Sequence, residues 1–172
     1  MKAAAPPRPP PTQIVVGVAA KQVSKDPRTR LVTFALGSCI GVTVWDPITH
    51  VGGMLHYLLA QPVAGADDTA SRPFMYATTG LDALFASVAA LGTLHSRLIV
   101  CAAGAAEVLR DGGMFAIGER NRTMMRRVFW KENIVLAAED TGGNAARNLG
   151  LDVGTGRVWI KTRGQEKQLW PR

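Results

Sequence analysis

Apolar and polar residues alternate over two stretches early in the chain, and the alternation predicts two β-strands joined by a bend. The stretches are residues 31–36 and 40–45, and Gly37, Ser38 and Cys39 lie between them. A two-residue period is typical of strands, and glycine allows backbone conformations that are closed to other residues. We therefore expect Cys39 to lie at a sharp bend where another chain can approach its sulfur.

A third strand is predicted at residues 51–58, after a turn at Asp46 and Pro47, and it carries His56. If this strand pairs with the one before it, His56 returns to the neighbourhood of Cys39.

The rest of the chain predicts shorter elements. We expect strands at residues 14–18, 98–102 and 134–138, a hairpin of 148–153 with 157–160, and loops at 21–30 and 61–72. The loop at 61–72 follows His56 closely, so it is either a substrate-contacting lid or an ordinary surface connection.

Two helices complete the pattern. One runs from a cap at Thr78 or Thr79 to about Leu94, with an apolar stripe on its inner face (Leu81, Leu84, Phe85, Val88 and Leu91). The other covers about residues 122–132 after a turn at 118–121. Asn121 is its expected cap, and its expected inner face is Met125, Val128 and Phe129. This order of elements favours an α+β layered domain with helices on a mixed, largely antiparallel sheet.

Composition indicates one globular domain. The chain has 172 residues, of which 47% are hydrophobic. Residues 1–12 are proline-rich and predict a disordered leader, residues 13–161 the folded domain, and residues 162–172 an unstructured or partner-dependent tail. No stretch approaches the roughly 20 apolar residues of a membrane-spanning helix. We therefore expect a cytoplasmic protein in which Cys39 and Cys101 are free thiols.

The net charge of +7 raises the question of nucleic-acid binding. The chain has no zinc-finger spacing and no RNA-recognition signature, and its aromatic content of 6% is low for a base-stacking surface. The basic residues favour a solvated face or a surface that attracts acidic partners.

Cys39 is the candidate nucleophile, and it needs a base because a free cysteine is mostly protonated at neutral pH. His56 is the candidate base. Thr33 is the candidate group that holds the imidazole in one tautomer, and backbone amides at Gly37 and Ser38 are candidate donors to an oxyanion. The alternative is that Cys39 and His56 are packing residues. Cys39, His56 and Cys101 lack the paired spacing of metal ligands, so no metal or other cofactor is predicted.

Five linked motifs resemble the chemoreceptor glutamine deamidase (CheD) family of bacterial chemotaxis. They are LGSCI at 36–40, Asp46, GGM at 52–54 with His56, IGERN at 117–121, and EDTGG at 139–143 with Arg147. The resemblance spans about residues 14–161. One departure is that the family usually has a lysine near Cys101 and a second glycine where Ala105 stands.

The resemblance implies that the chain converts glutamine side chains of chemoreceptors to glutamate, with Cys39, His56 and Thr33 as catalytic residues and a thioester on Cys39. It also implies a fold similar to the catalytic domain of cytotoxic necrotizing factor toxins. Family members bind CheC-type phosphatases, so the alternative is a receptor- or phosphatase-docking module in which catalysis is secondary or lost.

Overall fold

The computed structural model describes residues 10–63, 65, 68–107 and 116–171. Its strands are β1 (Thr12–Val15), β2 (Ala20–Ser24), β3 (Thr29–Leu36), β4 (Ile40–Trp45), β5 (Gly52–Tyr57), β6 (Ile99–Gly104), β7 (Leu136–Thr141), β8 (Arg147–Asp152), β9 (Arg157–Thr162) and β10 (Gln165–Trp170). Its helices are α1 (Ala77–Ala89) and α2 (Ile117–Lys131).

The strands form two five-stranded sheets. The first sheet has the order β1-β3-β8-β9-β10 and the second β2-β5-β4-β6-β7. The β1–β3 and β6–β7 pairs are parallel and the other pairs are antiparallel. One apolar core lies between the two sheets and another between the second sheet and the helices. The predicted α+β layered class is confirmed, with two sheets where one was expected.

The central strand β4 is buried on both faces because it lies between these two cores. Ile40, Val42 and Val44 pack in the core beneath the helices. Gly41 faces the first sheet, where a Cβ atom would lie 2.8 Å from Leu149. The predicted pairing of β4 with β5 is confirmed, with Gly41 opposite His56.

Two segments predicted to lack regular structure are edge strands. Residues 21–24, expected in a loop, belong to β2 and pair with β5, and the last two residues of that expected loop, 29 and 30, belong to β3. Residues 165–170, expected in an unstructured tail, form β10 and pair with β9. The first four residues of β10 are exposed. An edge strand of this kind needs few apolar side chains, so the apolar period that reveals buried strands was missing.

Both helices differ from their predicted limits. α1 begins after Tyr76 without a side-chain cap, and the Thr79 hydroxyl donates to the Pro73 carbonyl instead. Leu91 and Leu94 lie beyond its end and are exposed, whereas the other four stripe residues are buried as predicted. α2 begins at Ile117, so the expected turn at 118–121 was wrong and Asn121 lies inside the helix.

The first and last strands, β1 and β10, both belong to the first sheet. Of the predicted leader, residues 1–9 lie outside the described residues, and Thr12 belongs to β1. The described residues of 61–72 form neither a helix nor a strand, as predicted. Neither described helix is long and apolar enough to span a membrane.

Candidate active site

Cys39 lies where the chain passes from the first sheet to the second. β3 ends at Leu36, β4 begins at Ile40, and the three residues between them form the predicted bend. Cys39 is partly exposed and packs against the core between the sheets. Its sulfur is therefore neither a fully buried packing atom nor a fully solvated one.

A short segment after β6 holds this bend in place. The Ala105 N–H donates to the Cys39 carbonyl at 2.8 Å, and the Ala106 N–H donates to the Gly37 carbonyl at 2.7 Å. Gly104 approaches so closely that a Cβ atom there would lie 2.2 Å from the Cys39 carbonyl oxygen. Only glycine fits at position 104, where φ is also +120°.

The same segment bears on the departure from the family at Ala105. Its φ is +53°, so the backbone keeps the left-handed conformation that glycine favours although the residue is alanine. Arg147 reinforces the neighbouring backbone by donating to the Gly142 carbonyl at 2.7 Å and to Asp140 at 2.6 Å. The Gly142 N–H in turn donates to the Gly104 carbonyl at 2.9 Å.

Asn121 connects the bend to the end of β5. Its side-chain amide nitrogen donates to the Ser38 carbonyl at 2.9 Å and to the Leu58 carbonyl at 2.6 Å. Since both partners are acceptors, the orientation of this amide is fixed. Sequence reasoning assigned Asn121 to a helix cap and missed this role. The position of Asn121 within the IGERN motif was the one available signal.

The backbone amides of the bend differ in availability. The Gly37 N–H donates to the Ala35 carbonyl at 2.8 Å and is occupied. Within the described residues, neither the Ser38 N–H nor the Cys39 N–H donates to a backbone carbonyl. The Cys39 N–H lies close enough to its own sulfur to favour the thiolate slightly.

His56 lies on β5 beside this bend. Ile40 pairs with Tyr57 and Gly41 with His56, so Cys39 lies just past the end of the ladder, diagonal to His56. Residues at diagonal positions of a strand pair are about 7–8 Å apart between their Cα atoms, and Nε2 of His56 forms no hydrogen bond to the Cys39 sulfur. The imidazole is 1% exposed, so it lies in the core between the sheets.

Thr33 reaches His56 from the opposite sheet. Its Oγ1 lies 2.8 Å from Nδ1 of His56 and donates to the Val16 carbonyl at 2.7 Å. A hydroxyl has one proton. Because that proton goes to Val16, Thr33 must accept from Nδ1–H. The other ring nitrogen, Nε2, then carries a lone pair, and it is buried without a hydrogen-bond partner among the described residues.

Burial favours the neutral form of both candidate residues. It raises the pKa of the Cys39 thiol and lowers the pKa of His56 to about 4. The resting pair is therefore a thiol and a neutral imidazole. Both shifts disfavour a thiolate–imidazolium ion pair.

Cys101 is separate from this arrangement. It is buried on β6 opposite Thr43, four residues along β4 from Cys39. At about 3.4 Å per residue, that spacing corresponds to roughly 13 Å. Cys39 and Cys101 form no disulfide, as predicted. The structure therefore brings together Thr33, His56 and the Cys39 bend, and leaves Cys101 in the core.

Comparisons with known proteins agree on one family. The model of the family described as CheD chemotactic sensory transduction matches residues 58–162. The probable chemoreceptor glutamine deamidase CheD of Solibacter usitatus (strain Ellin6076) is 41% identical over 159 residues, which are 92% of this chain and 94% of that protein.

Two further relatives have the same functional name. The probable chemoreceptor glutamine deamidase CheD 1 of Syntrophus aciditrophicus (strain SB) is 40% identical over 151 residues, covering 88% of this chain and 94% of that protein. The corresponding protein of Pyrococcus abyssi (strain GE5 / Orsay) is 38% identical over 151 residues, covering 87% and 91%. The expected resemblance is confirmed, and this chain belongs to the CheD family.

Proposed function

We propose that this chain is a protein-glutamine deamidase that converts glutamine side chains of chemoreceptors to glutamate. The observation that supports the proposal is a chain of two hydrogen bonds. The His56 imidazole donates to the Thr33 hydroxyl, and that hydroxyl donates to the Val16 carbonyl. This series leaves Nε2 of His56 unprotonated. His56 lies on β5, which pairs with β4, and β4 begins directly after Cys39. An unprotonated base and a partly exposed thiol on adjoining segments are the two groups that nucleophilic catalysis uses, and proton transfer requires the Cys39 sulfur to come within hydrogen-bond distance of Nε2.

In the first half of the proposed reaction, the Cys39 sulfur attacks the carboxamide carbon of the substrate while His56 Nε2 takes the thiol proton. Transfer of the proton during attack suits a pair that is neutral at rest. The imidazolium then gives that proton to the amide nitrogen, which leaves as ammonia. The substrate acyl group stays on Cys39 as a thioester.

In the second half, a water molecule attacks the thioester and gives a proton to His56. Collapse of the second tetrahedral intermediate expels the Cys39 sulfur, which recovers its proton from the imidazolium. The product is glutamate, and His56 and Cys39 return to their neutral forms. Thr33 keeps Nε2 in the acceptor state at the start of each cycle because it fixes the proton on Nδ1.

The oxyanion of each tetrahedral intermediate requires donors near the sulfur. The sequence suggested Gly37 and Ser38, but the Gly37 amide is occupied by Ala35. We assign the role to the Ser38 and Cys39 amides. The Ser38 N–H shares a peptide plane with the Gly37 carbonyl, which Ala106 holds, and the Cys39 N–H shares one with the Ser38 carbonyl, which Asn121 holds. The two N–H groups are therefore fixed in direction before the substrate arrives.

The proposed substrate follows the names of the relatives, which are probable chemoreceptor glutamine deamidases. The substrate is the cytoplasmic part of a chemoreceptor, and the protein acts in the cytoplasm without a metal, a nucleic acid or an inserted membrane segment. A CheC-type phosphatase remains a proposed partner. A fold similar to the catalytic domain of cytotoxic necrotizing factor toxins also remains a proposal.

The test follows ammonia release and glutamine-to-glutamate mass shifts in a chemoreceptor cytoplasmic fragment. Cys39→Ala should abolish both. Cys101→Ala is the matched control, because it removes the cysteine that lies in the core, and it should retain activity. Receptor binding without ammonia release by the unaltered protein would contradict the proposal and favour a docking module.

A further inference from the structure

One face of α2 borders open cavities in the described structure, although Met124 on that face also packs against the core beneath the helices. The opposite face is buried against the core through Gly118, Asn121, Met125 and Phe129. The residues of the open face border two adjoining cavities, and they are Ile117, Arg120, Met124, Arg127 and Lys131. Successive residues of this set are alternately three and four positions apart in the sequence. That spacing places them in one stripe along the helix, as in the contact seam of a coiled coil.

The stripe forms one wall of a groove. The larger cavity, of about 650 Å³, lies between the stripe and the segment that follows β5, whose wall includes Leu59, Pro62 and Val63. A smaller cavity of about 190 Å³ continues from it past Met124 and Arg127 towards Glu132. α2 has 15 residues, which gives the groove a length of about 22 Å at 1.5 Å per residue.

The groove has a mainly apolar surface with unpaired positive charges at its edge. Arg122 and Arg126, on the other side of α2, pair with Glu119 and Glu139. Arg120, Arg127 and Lys131 are exposed and form no ion pair with any described residue. Asp82 and Glu132 line the smaller cavity, so the excess of positive charge lies along the larger one, at Arg120 and Arg127. At its larger cavity the groove therefore complements a segment with apolar residues on one side and carboxylates beside them.

The groove passes near the candidate nucleophile, because Asn121 lies between the larger cavity and the Cys39 bend. Asn121 borders the larger cavity and donates to the Ser38 carbonyl at 2.9 Å, one residue before Cys39. A segment lying along α2 would therefore have one end beside the bend.

We propose that this groove binds an acidic amphipathic helix of the protein substrate and places a glutamine at its end against Cys39. The inference rests on the proposed deamidase function and adds the part of the enzyme that recognises the substrate. A helix is the expected occupant because the stripe has the three-and-four spacing of helix–helix contacts and the groove has the length of about four turns. Recognition through a groove would let the small reacting site act on few of the many glutamines in a receptor.

The test separates binding from chemistry. The Cys39→Ala protein is titrated with a chemoreceptor cytoplasmic fragment and, separately, with an amphipathic helical peptide of about 15 residues, the length of the groove, that has glutamates beside its apolar side. Arg120→Glu together with Arg127→Glu should weaken both interactions at least tenfold and reduce their dependence on salt.

The matched control is Lys161→Glu together with Arg163→Glu. These two residues are exposed on β9 and the turn after it, in the first sheet, and their reversal changes the net charge by the same amount. The control should bind as the parent does. Equal affinity for the groove variant, the control and the parent would overturn the proposal, as would equal weakening of both variants.

Kinetic measurements on the parent and on variants that retain Cys39 complete the test. The groove variant should raise KM for the receptor fragment at least tenfold with little change in kcat. Its rate of Cys39 alkylation by iodoacetamide should equal that of the parent, which shows that the reacting site is intact. A parent that binds the fragment through the groove but releases no ammonia would refute the deamidase proposal and leave the groove established. Loss of kcat without any change in KM or binding would refute the groove.

Discussion

The Thr33 hydroxyl and the His56 imidazole are joined at 2.8 Å although their strands belong to different sheets. Thr33 comes from β3 in the first sheet and His56 from β5 in the second. The candidate base is therefore oriented by the packing of one sheet on the other. Neither sheet alone holds both halves of the hydrogen bond.

Replacement of Thr33 by valine tests the assigned tautomer. Valine has nearly the same shape but accepts no proton from Nδ1, so His56 would lose the group that keeps Nε2 unprotonated. We expect kcat to fall on the order of 100-fold. Thr33→Ser retains the hydroxyl and should recover most of the activity, measured as ammonia release. Equal loss in both variants would indicate that Thr33 acts through packing alone.

The reactivity of Cys39 should report a protonated resting thiol. Because burial raises its pKa, alkylation by iodoacetamide should be slow at neutral pH and increase with pH to a midpoint above the usual value of about 8.5. The measurement uses the Cys101→Ala protein, so that Cys39 is the one cysteine present. A midpoint below neutral pH would show a thiolate–imidazolium pair and contradict the neutral resting state.

His56 should make the fold sensitive to acid. In the unfolded chain its pKa is near 6.5, whereas burial lowers it to about 4 in the folded protein. Between these values the unfolded state binds a proton that the folded state does not bind. The free energy of unfolding should therefore decrease as pH falls from 6.5 to 4, by up to about 3 kcal/mol from this residue.

Urea unfolding at several pH values measures this effect. His56→Gln cannot bind the proton and should lose this part of the pH dependence, while the contributions of the other ionisable groups remain. The same slope in the parent and the variant would show that His56 is not held in its neutral form.

Asn121 should matter more for catalysis than its place in a helix suggests. Asn121→Asp keeps the size of the side chain but removes both donors to the Ser38 and Leu58 carbonyls. Each carbonyl left unpaired in the interior costs about 1–3 kcal/mol. We expect a reduced melting temperature, and a loss of kcat measured below that temperature, where the variant is still folded.

Asn144→Asp provides the matched comparison for that variant. Asn144 is exposed and accepts from Arg163 at 3.2 Å, a role that aspartate retains. It should change neither kcat nor stability appreciably. A folded Asn121→Asp protein with normal kcat would remove Asn121 from any role in holding the bend.

The sequence predicted the parts of the site that depend on neighbouring strands. The alternation at residues 31–36 and 40–45 located the bend, and the pairing of β4 with β5 followed from their order. The contact of Asn121 with Ser38, 83 positions apart in the chain, depends on how α2 packs over the second sheet. Local periodicity carries no information about such a contact, and Asn121 is also a common capping residue.

The same reasoning explains why the two edge strands were missed. β2 and β10 have partners on one side only and expose much of their surface, so their sequences resemble loops. The existence of two sheets was also out of reach, because alternation shows that a strand has a buried face but does not show what covers it.

The proton of the Thr33 hydroxyl makes an edge strand part of the chemistry. Its acceptor, Val16, directly follows β1, a four-residue strand that pairs with β3 alone. If β1 detached, the hydroxyl could turn and donate to Nδ1, which would move the imidazole proton to Nε2 and remove the base. Such a molecule would keep the core beneath the helices and lose only the contribution of Val16 and Ile14 to the core between the sheets, yet it would be inactive. Inactivation by mild denaturant should therefore precede global unfolding, and a loss of activity in this protein need not mean a loss of fold.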